Sequence, residues 1–243
     1  MPYITKEMLE FLAGIRTNNS KEWFEPRKAV YLESVYEPLK ALAEKLYEPF
    51  AERGDMMHKT ARIYKDANFP PYLHYRDTMW IYIRHEAVWW SRTPTLFFEI
   101  SPEGARFGFR LASPQPALMA YFRAQLEEDA SEFLSLVRTL ESQGIAVSGD
   151  EYKRPKPCRY ESLLPYFKKK SLAAEVTVAP GDFLFSDALL PRVEEVLAQV
   201  FPLHEYMQGL LTEFELQNAV SDAQETATVE PLMAKAPTEE FLW

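Results

Sequence analysis

The sequence predicts an α+β protein with an antiparallel meander sheet packed on one face by N-terminal and C-terminal helices. Apolar residues recur at helical spacing up to about residue 50, and then alternate with polar residues over residues 60–112. Helical spacing returns after the alternating region and continues to about residue 217. Helices, then consecutive strands, then helices again are typical of an α+β architecture.

The N-terminal region predicts two helices. Thr5 is placed to cap a helix over residues 5–16, and Ser20 is placed to cap a long helix that continues to Phe50. Pro38 predicts a kink or a new segment within the long helix, because proline lacks an N–H group and clashes with the preceding turn.

Four alternating segments follow, and the turn residues between them predict an antiparallel meander. The predicted strands are residues 61–66, 79–85, 95–101 and 105–112. One face is apolar and should meet the helices: Ala61, Ile63, Met79, Ile81, Ile83, Leu96, Phe98, Ile100, Phe107, Phe109 and Leu111. The opposite face combines aromatic rings with charges: Arg62, Tyr64, Asp66, Trp80, Tyr82, Arg84, Phe97, Glu99, Arg106 and Arg110.

The rest of the chain predicts further helices, one short strand and a tail. The expected helices are residues 114–127, 131–143, 187–201 and 202–217, and the expected strand is residues 173–180. We interpret residues 1–217 as a single α+β domain. Residues 218–243 are acidic and have no hydrophobic period, so they are predicted to form a flexible C-terminal tail.

The composition limits the classes of function. The net charge of −9 argues against a protein that binds nucleic acid or anionic lipid through bulk charge, although it does not exclude nucleic acid. A single cysteine, Cys158, excludes an intramolecular disulfide and fits a reducing compartment. With no apolar leader and no run of membrane-spanning length, the chain is expected to be cytoplasmic and to have no membrane partner. The oligomeric state is left open.

Strong catalytic motifs are missing from the sequence. There is no dinucleotide-binding glycine motif, no P-loop and no G-x-S-x-G. The four histidines, at positions 58, 74, 85 and 204, do not pair at the spacing of metal ligands. The sequence therefore predicts no metal site and no cofactor.

Two surfaces are candidates for binding. On the charged-aromatic face, Arg62 and Asp66 form either a structural ion pair, which we favour, or a grip for an anion. The second candidate is the segment 151–170, which holds seven Lys or Arg against two Glu. A solvated loop is the favoured interpretation there, and the alternatives are an anion site or, given the interleaved aromatic rings, a site for single-stranded nucleic acid.

Seven stretches keep an order and spacing that resemble the bacterial family called domain of unknown function 2461. They are NNSKEWFEPRKAVY (18–31), RIYKD (62–66), YRDTMW (75–80), FFEISPEG (97–104), GDEYKRPK (149–156), PYFKKKSL (165–172) and LFSDALLPRVEEV (184–196). The resemblance implies a cytoplasmic α+β protein, supplies no activity, and gives weight to Arg62 and Asp66. Family members often continue after the Asp as Arg-Phe-Ser-Lys-Asp-Lys. Here Asn68 replaces the arginine and the lysines are gone. If that turn binds an anion in relatives, the site is weakened or altered in this chain.

Three hypotheses for function follow. The first is binding of a phosphate- or carboxylate-bearing ligand where the sheet face meets the basic segment, with contacts from Arg62, Tyr64, Trp80, Arg84, Arg154 and Lys170. The second is an enzyme acting on a phosphorylated or nucleic-acid substrate, with Asp66 and Glu99 in acid–base roles. The third is a protein-interaction scaffold, because the acidic tail ends in the apolar residues Phe241, Leu242 and Trp243.

The tail hypothesis is tested by deleting residues 219–243. The apolar end is expected to rest in a groove of this chain or of a partner, and the tail itself is expected to have no core. If the groove belongs to a partner, the melting temperature of the truncated protein stays nearly unchanged. A fall of several degrees, equivalent to about 1 kcal/mol or more for a domain of this size, would instead make the tail part of this protein's own fold.

Overall fold

A six-stranded antiparallel sheet lies at the centre of the fold. The computed structural model describes residues 2–65, 72–87, 92–154 and 156–233, with side chains described as far as residue 219. The strands are β1 (Met56–Thr60), β2 (Met79–His85), β3 (Thr95–Ser101), β4 (Gly104–Leu111), β5 (Val147–Ser148) and β6 (Leu172–Val178). Their order in the sheet is β1-β2-β3-β4-β6-β5, so the predicted meander of β1 to β4 is confirmed and is extended by β6 and β5.

Helices precede and follow the meander, which confirms the predicted α+β class. They are α1 (Lys6–Thr17), α2 (Lys21–Phe24), α3 (Lys28–Tyr31), α4 (Glu37–Tyr47), α5 (Pro116–Glu128), α6 (Ser131–Ser142), α7 (Leu164–Phe167) and α8 (Leu189–Met233). The predicted caps of the first two helices are present, because Thr5 Oγ1 accepts from the Met8 N–H and Ser20 Oγ accepts from the Trp23 N–H.

The long helix expected after Ser20 is divided at its prolines. A 3₁₀ turn over Glu25–Arg27 contains Pro26, and another over Glu48–Arg53 contains Pro49. A π-helical segment, Leu32–Tyr36, lies directly before the helix that contains Pro38. Each proline removes a backbone donor, so the hydrogen-bond pattern changes locally instead of continuing as an α-helix. A new helical segment begins at Glu37, next to Pro38, which agrees with the prediction of a kink or a new segment there.

The first predicted strand was placed wrongly. Residues 61–65 are not a strand, and the regular strand β1 ends at Thr60. The Ala61 N–H still donates to the Trp80 carbonyl, but the next bridge pairs Tyr64 with Tyr75. Two residues separate Ala61 from Tyr64, whereas four separate Tyr75 from Trp80. This unequal spacing breaks the regular ladder. Asp66, the last residue of that predicted strand, lies outside the described residues.

The C-terminal helices also differ from the prediction. Residues 187–217 were expected to form two helices separated at Pro202, and residues from 218 onward were expected to form a tail. Instead α8 continues through Pro202 and as far as Met233. Buried residues on both sides of the proline keep one helical period against the core, and this packing outweighs the lost hydrogen bond: Val193, Val196, Leu197, Val200, Leu203 and Met207.

The core lies between the sheet and the helices. All eleven residues of the predicted apolar face are buried. α8 packs on β3 and β4, α4 packs on β1 and β2, and α1 reaches β3. Helices α5 and α6 pack in turn against α8. Within the part of the chain that the structure describes, no helix combines the length and apolarity needed to cross a bilayer.

An aromatic cluster around Phe24 joins the N-terminal helices to the sheet. The Phe24 ring is fully buried and stacks on Tyr75 at 4.2 Å between centroids, with Tyr31 at 5.6 Å and Phe11 at 6.4 Å. Asn19 fixes the same junction, because its side chain accepts from the Tyr75 N–H and donates to the Tyr75 carbonyl. The junction therefore depends on residues from the Asn-Asn-Ser-Lys-Glu-Trp-Phe stretch.

We expect Phe24→Ala to lower the free energy of unfolding by about 3–5 kcal/mol, because it leaves a cavity in this cluster. The measurement is urea denaturation followed by fluorescence. Phe183→Ala is the matched control: Phe183 is exposed, and its truncation should cost less than about 1 kcal/mol. Equal costs for the two variants would mean that the cluster does not hold the junction.

Candidate functional site

The face of the sheet opposite the helices carries a pocket. Its volume is about 220 Å³, and we call it the outer pocket. The lining residues are Trp80, Tyr82, Arg84, Thr93, Thr95, Phe97, Glu99, Arg110, Ala112 and Ser113. Most of them come from β2, β3 and β4, so alternation along three neighbouring strands builds the site.

Strand register sets the floor of the outer pocket. Tyr82 lies opposite Phe97, and Phe97 lies opposite Gly108 on the next strand. Gly108 has a φ of +147°, and a Cβ there would approach the Ala174 carbonyl oxygen to 2.2 Å. Only glycine fits this position. Two aromatic rings and a bare backbone therefore form the central row of the floor.

Glu99 is the acidic centre of the floor. Its Oε1 accepts from Nε of Arg106 at 3.0 Å, and its Oε2 accepts from Nη2 of Arg110 at 3.1 Å. The hydrogen bond from Glu99 raises the pKa of Arg106 above its ordinary value. The Arg110 guanidinium also lies 3.6 Å from the centroid of the Phe97 ring. Both arginines are thus committed to a carboxylate, and Arg110 is stacked as well.

Arg84 differs from these two arginines. It is only 5% exposed, yet it makes no ion pair with any of the residues that the structure describes. Its Nη1 donates a long hydrogen bond of 3.4 Å to the His85 carbonyl, and its Nε has no partner. The guanidinium lies 4.9 Å from the centroid of the Tyr82 ring. Buried charges are normally paired, so Arg84 departs from the usual pattern of this face.

Hydroxyl groups line the rim of the outer pocket, and a cation outside the pocket packs against Trp80. Thr95 donates its hydroxyl to the Thr93 carbonyl at 2.9 Å, which fixes the segment that enters β3. Arg76 lies 4.7 Å from the Trp80 ring centroid, and burial lowers the pKa of Arg76 below its ordinary value. The guanidinium orients Trp80 through a cation–π contact. These contacts fix the positions of Thr95 and Trp80 at the rim.

The six ligand contacts predicted from the sequence do not all meet. Trp80 and Arg84 line the outer pocket, whereas Arg62, Tyr64, Arg154 and Lys170 do not. Tyr64 packs on Phe24 in the aromatic cluster, and Arg62 and Arg154 are exposed. Lys170 lies 3.7 Å from Asp150, so an acid partly neutralises it. Of the two weak catalytic candidates, Glu99 lies in the outer pocket and Asp66 is outside the described residues.

Sequence reasoning missed the residues at the strand ends. Thr93, Thr95, Ala112 and Ser113 line the outer pocket, but none was assigned to the charged-aromatic face. Thr93 and Ser113 lie outside β3 and β4, where alternation carries no information. Thr95 and Ala112 lie within the predicted strands and share the alternation of Phe97 and Arg110, so the pattern could have found these two. The register of β2 against β3 would have placed Thr95 opposite Arg84, but strand length is poorly defined by sequence.

A second polar cluster lies on the helix side of the sheet. His85 Nε2 and His204 Nδ1 lie 3.5 Å and 3.2 Å from Glu205 Oε1, and we call these three residues the His–Glu cluster. Burial lowers the pKa of His204 to about 4, so this imidazole is neutral at physiological pH. The sequence missed the cluster because His85 and His204 come from β2 and α8, far apart in the chain.

Fold and site together define an α+β protein with helices on one face of an antiparallel sheet and a small cationic-aromatic pocket on the other. The chain belongs to the family described as "Conserved hypothetical protein (DUF2461)", whose model matches residues 7–206. This match confirms the resemblance seen in the motifs and covers the whole sheet together with the outer pocket. A search of curated proteins finds none that matches the chain.

Glu99→Gln is expected to lower the free energy of unfolding by about 1–2 kcal/mol, because two arginines lose their shared carboxylate. Glu175→Gln is the matched control on the same face. Among the described residues, Glu175 makes one ion pair, at 3.4 Å to Arg106, and its loss should cost less than about 0.5 kcal/mol. Chemical denaturation measures the free energy of unfolding of both variants. Equal losses would show that Glu99 does not stabilise this face more than Glu175 does.

Proposed function

We propose that this protein binds a small organic anion, a carboxylate or phosphate ester on a single-ring or similarly apolar body, in the outer pocket. The observation that carries the proposal is Arg84, a buried guanidinium with an unpartnered Nε and no carboxylate partner among the described residues. Binding an anion would supply the missing charge and the missing acceptor at once.

The neighbouring charges support Arg84 as the ligand-binding cation. Arg106 and Arg110 already share Glu99, so their charge is largely compensated within the protein. The same pairing commits both oxygens of Glu99, which makes this carboxylate a poor competitor for Arg84 and a poor general base. Binding is therefore favoured over acid–base catalysis at this site.

The walls and the volume support a compact, flat ligand. Trp80, Tyr82 and Phe97 make the lining of the outer pocket largely aromatic, which suits a ligand with an apolar body. A volume of about 220 Å³ exceeds the roughly 150 Å³ of an engineered cavity that holds benzene. One ring with one charged substituent fits this space, whereas a nucleic acid chain needs an extended groove.

A four-compound test separates the charge of the ligand from its ring. Benzoate carries both, acetate carries the charge alone, benzyl alcohol carries the ring alone, and benzamidine carries the ring with the opposite charge. Binding is followed by thermal shift and confirmed by calorimetry. We expect benzoate to bind best and benzamidine not to bind. Equal binding of benzoate and benzyl alcohol would refute the anion site, and phenyl phosphate in place of benzoate identifies the preferred acid group.

Arg84→Met is expected to separate binding from stability. It should weaken benzoate binding by about 100-fold or more, because a buried charge partner is lost. It should also raise the free energy of unfolding by about 1–3 kcal/mol, because methionine needs no charge partner in a buried position. Arg106→Met is the control and should destabilise the fold, since it breaks the pair with Glu99. An Arg84→Met protein that keeps its affinity, or that loses stability, would contradict the proposal.

A further inference from the structure

We infer that the His–Glu cluster binds one divalent transition-metal ion of the Zn²⁺ type. Its three potential ligand atoms lie within 4.8 Å of one another and belong to His85, His204 and Glu205. Two imidazoles and one carboxylate form a ligand set that catalytic zinc sites use, with the remaining coordination position open to water or substrate.

The distances within the cluster match the edges of a coordination polyhedron. Metal–ligand bonds of 2.0–2.1 Å arranged tetrahedrally place neighbouring ligand atoms about 3.4 Å apart. Glu205 Oε1 lies 3.5 Å from His85 Nε2 and 3.2 Å from His204 Nδ1. The first of these distances exceeds the usual range of an N–H···O hydrogen bond, which ends near 3.2 Å. Both distances are close to that edge, and all three potential ligand atoms lie within 4.8 Å of one another, as expected of groups that can share one ion.

Groups around the cluster hold the ligands in place. Asp55 Oδ2 lies 3.5 Å from Nδ1 of His85, on the side of the ring away from Glu205. Arg53 pairs with Oε2 of Glu205, which leaves Oε1 toward the two histidines. The His204 ring stacks on Phe201 at 5.7 Å between centroids. Carboxylates behind ligating histidines and packed rings of this kind are the usual outer shell of a metal site.

A cation can reach the cluster through an acidic groove. Glu205 is about one-third exposed and lines a groove between α5, α6 and α8. The other acidic residues of that groove are Glu128, Asp129, Glu132 and Glu213. A concave surface of one charge sign concentrates counter-ions near the site. The approach from solvent therefore favours cations.

The inference is independent of the outer pocket. Arg84 and His85 are neighbours on β2, and alternation sends their side chains to opposite faces of the sheet. The proposed ion thus lies on the helix side, whereas the proposed anionic ligand lies on the other side. Either site can fail while the other stands.

Zinc titration of the full, chelator-treated chain by calorimetry tests the site. We expect one Zn²⁺ per chain, with the affinity reduced at least about 100-fold in His85→Ala and in Glu205→Gln. Asp55→Asn, which acts on the position of His85, should reduce the affinity about 10–100-fold. Cobalt(II) serves as a spectroscopic probe, and its visible absorption should be lost in His85→Ala. Circular dichroism verifies that each variant is folded. If His85→Ala does not fold, Glu205→Gln takes its place as the test of the cluster.

Two controls separate a built site from diffuse attraction. Glu213→Gln removes one charge from the same groove, and His74→Ala removes a histidine that does not belong to the cluster. Both should keep zinc affinity within about threefold. The inference is overturned if the wild-type chain shows no saturable binding, if His85→Ala binds as tightly as wild type, or if Glu213→Gln weakens binding as much as Glu205→Gln.

Discussion

The alternation of side chains along β2, β3 and β4 is the constraint on which both faces of the molecule depend. Apart from His85, every second residue of these strands is apolar and buried under α1, α4 and α8, so a slip of one residue would expose the whole core face. The same register delivers Trp80, Tyr82 and Arg84 to the other face, beside Glu99 and Phe97 of the next strand. The helices cover the apolar face and so hold the strand register. The register in turn positions the residues of the outer pocket on the opposite face.

Charges on the outer face are distributed unequally, and this distribution decides what the face can do. A single carboxylate, Glu99, satisfies Arg106 and Arg110, which stabilises the junction of β3 and β4. Arg84 lies near the C-terminal end of β2, one residue beyond the pair of Ile83 with Leu96, and it receives no such partner among the described residues. If every charge on the outer face had an ion-pair partner within the protein, the face would have only a structural role. An unpaired buried guanidinium among aromatic rings leaves recognition of an anion as the role that the geometry supports best.

Sequence reasoning found what depends on short-range periodicity. It identified the capped α1, the strands β2 to β4 and the apolar face, and it placed Trp80 and Arg84, which line the outer pocket, on the opposite face. It failed where tertiary packing overrides a local rule, as at Pro202, where the buried face of α8 continues past the proline. It failed again where pairing shifts, at residues 61–65, because a ladder defect depends on residues of the opposite strand. Contacts between distant elements, such as His85 with His204, have no sequence period to reveal them.

Buried polar side chains show where this chain departs from an ordinary core. Among the described residues that are buried, the polar or charged ones are Arg84, Thr93, Ser171 and His204. Ser171 accepts from the Asp150 N–H and so has a structural role. The other three lie around the C-terminal end of β2: Arg84 and Thr93 in the outer pocket, and His204 beside His85. Sequences that otherwise obey the rules of folding break them chiefly at functional sites. Two different departures therefore meet at one strand end, where the proposed anion site and the proposed metal site lie on opposite faces of β2.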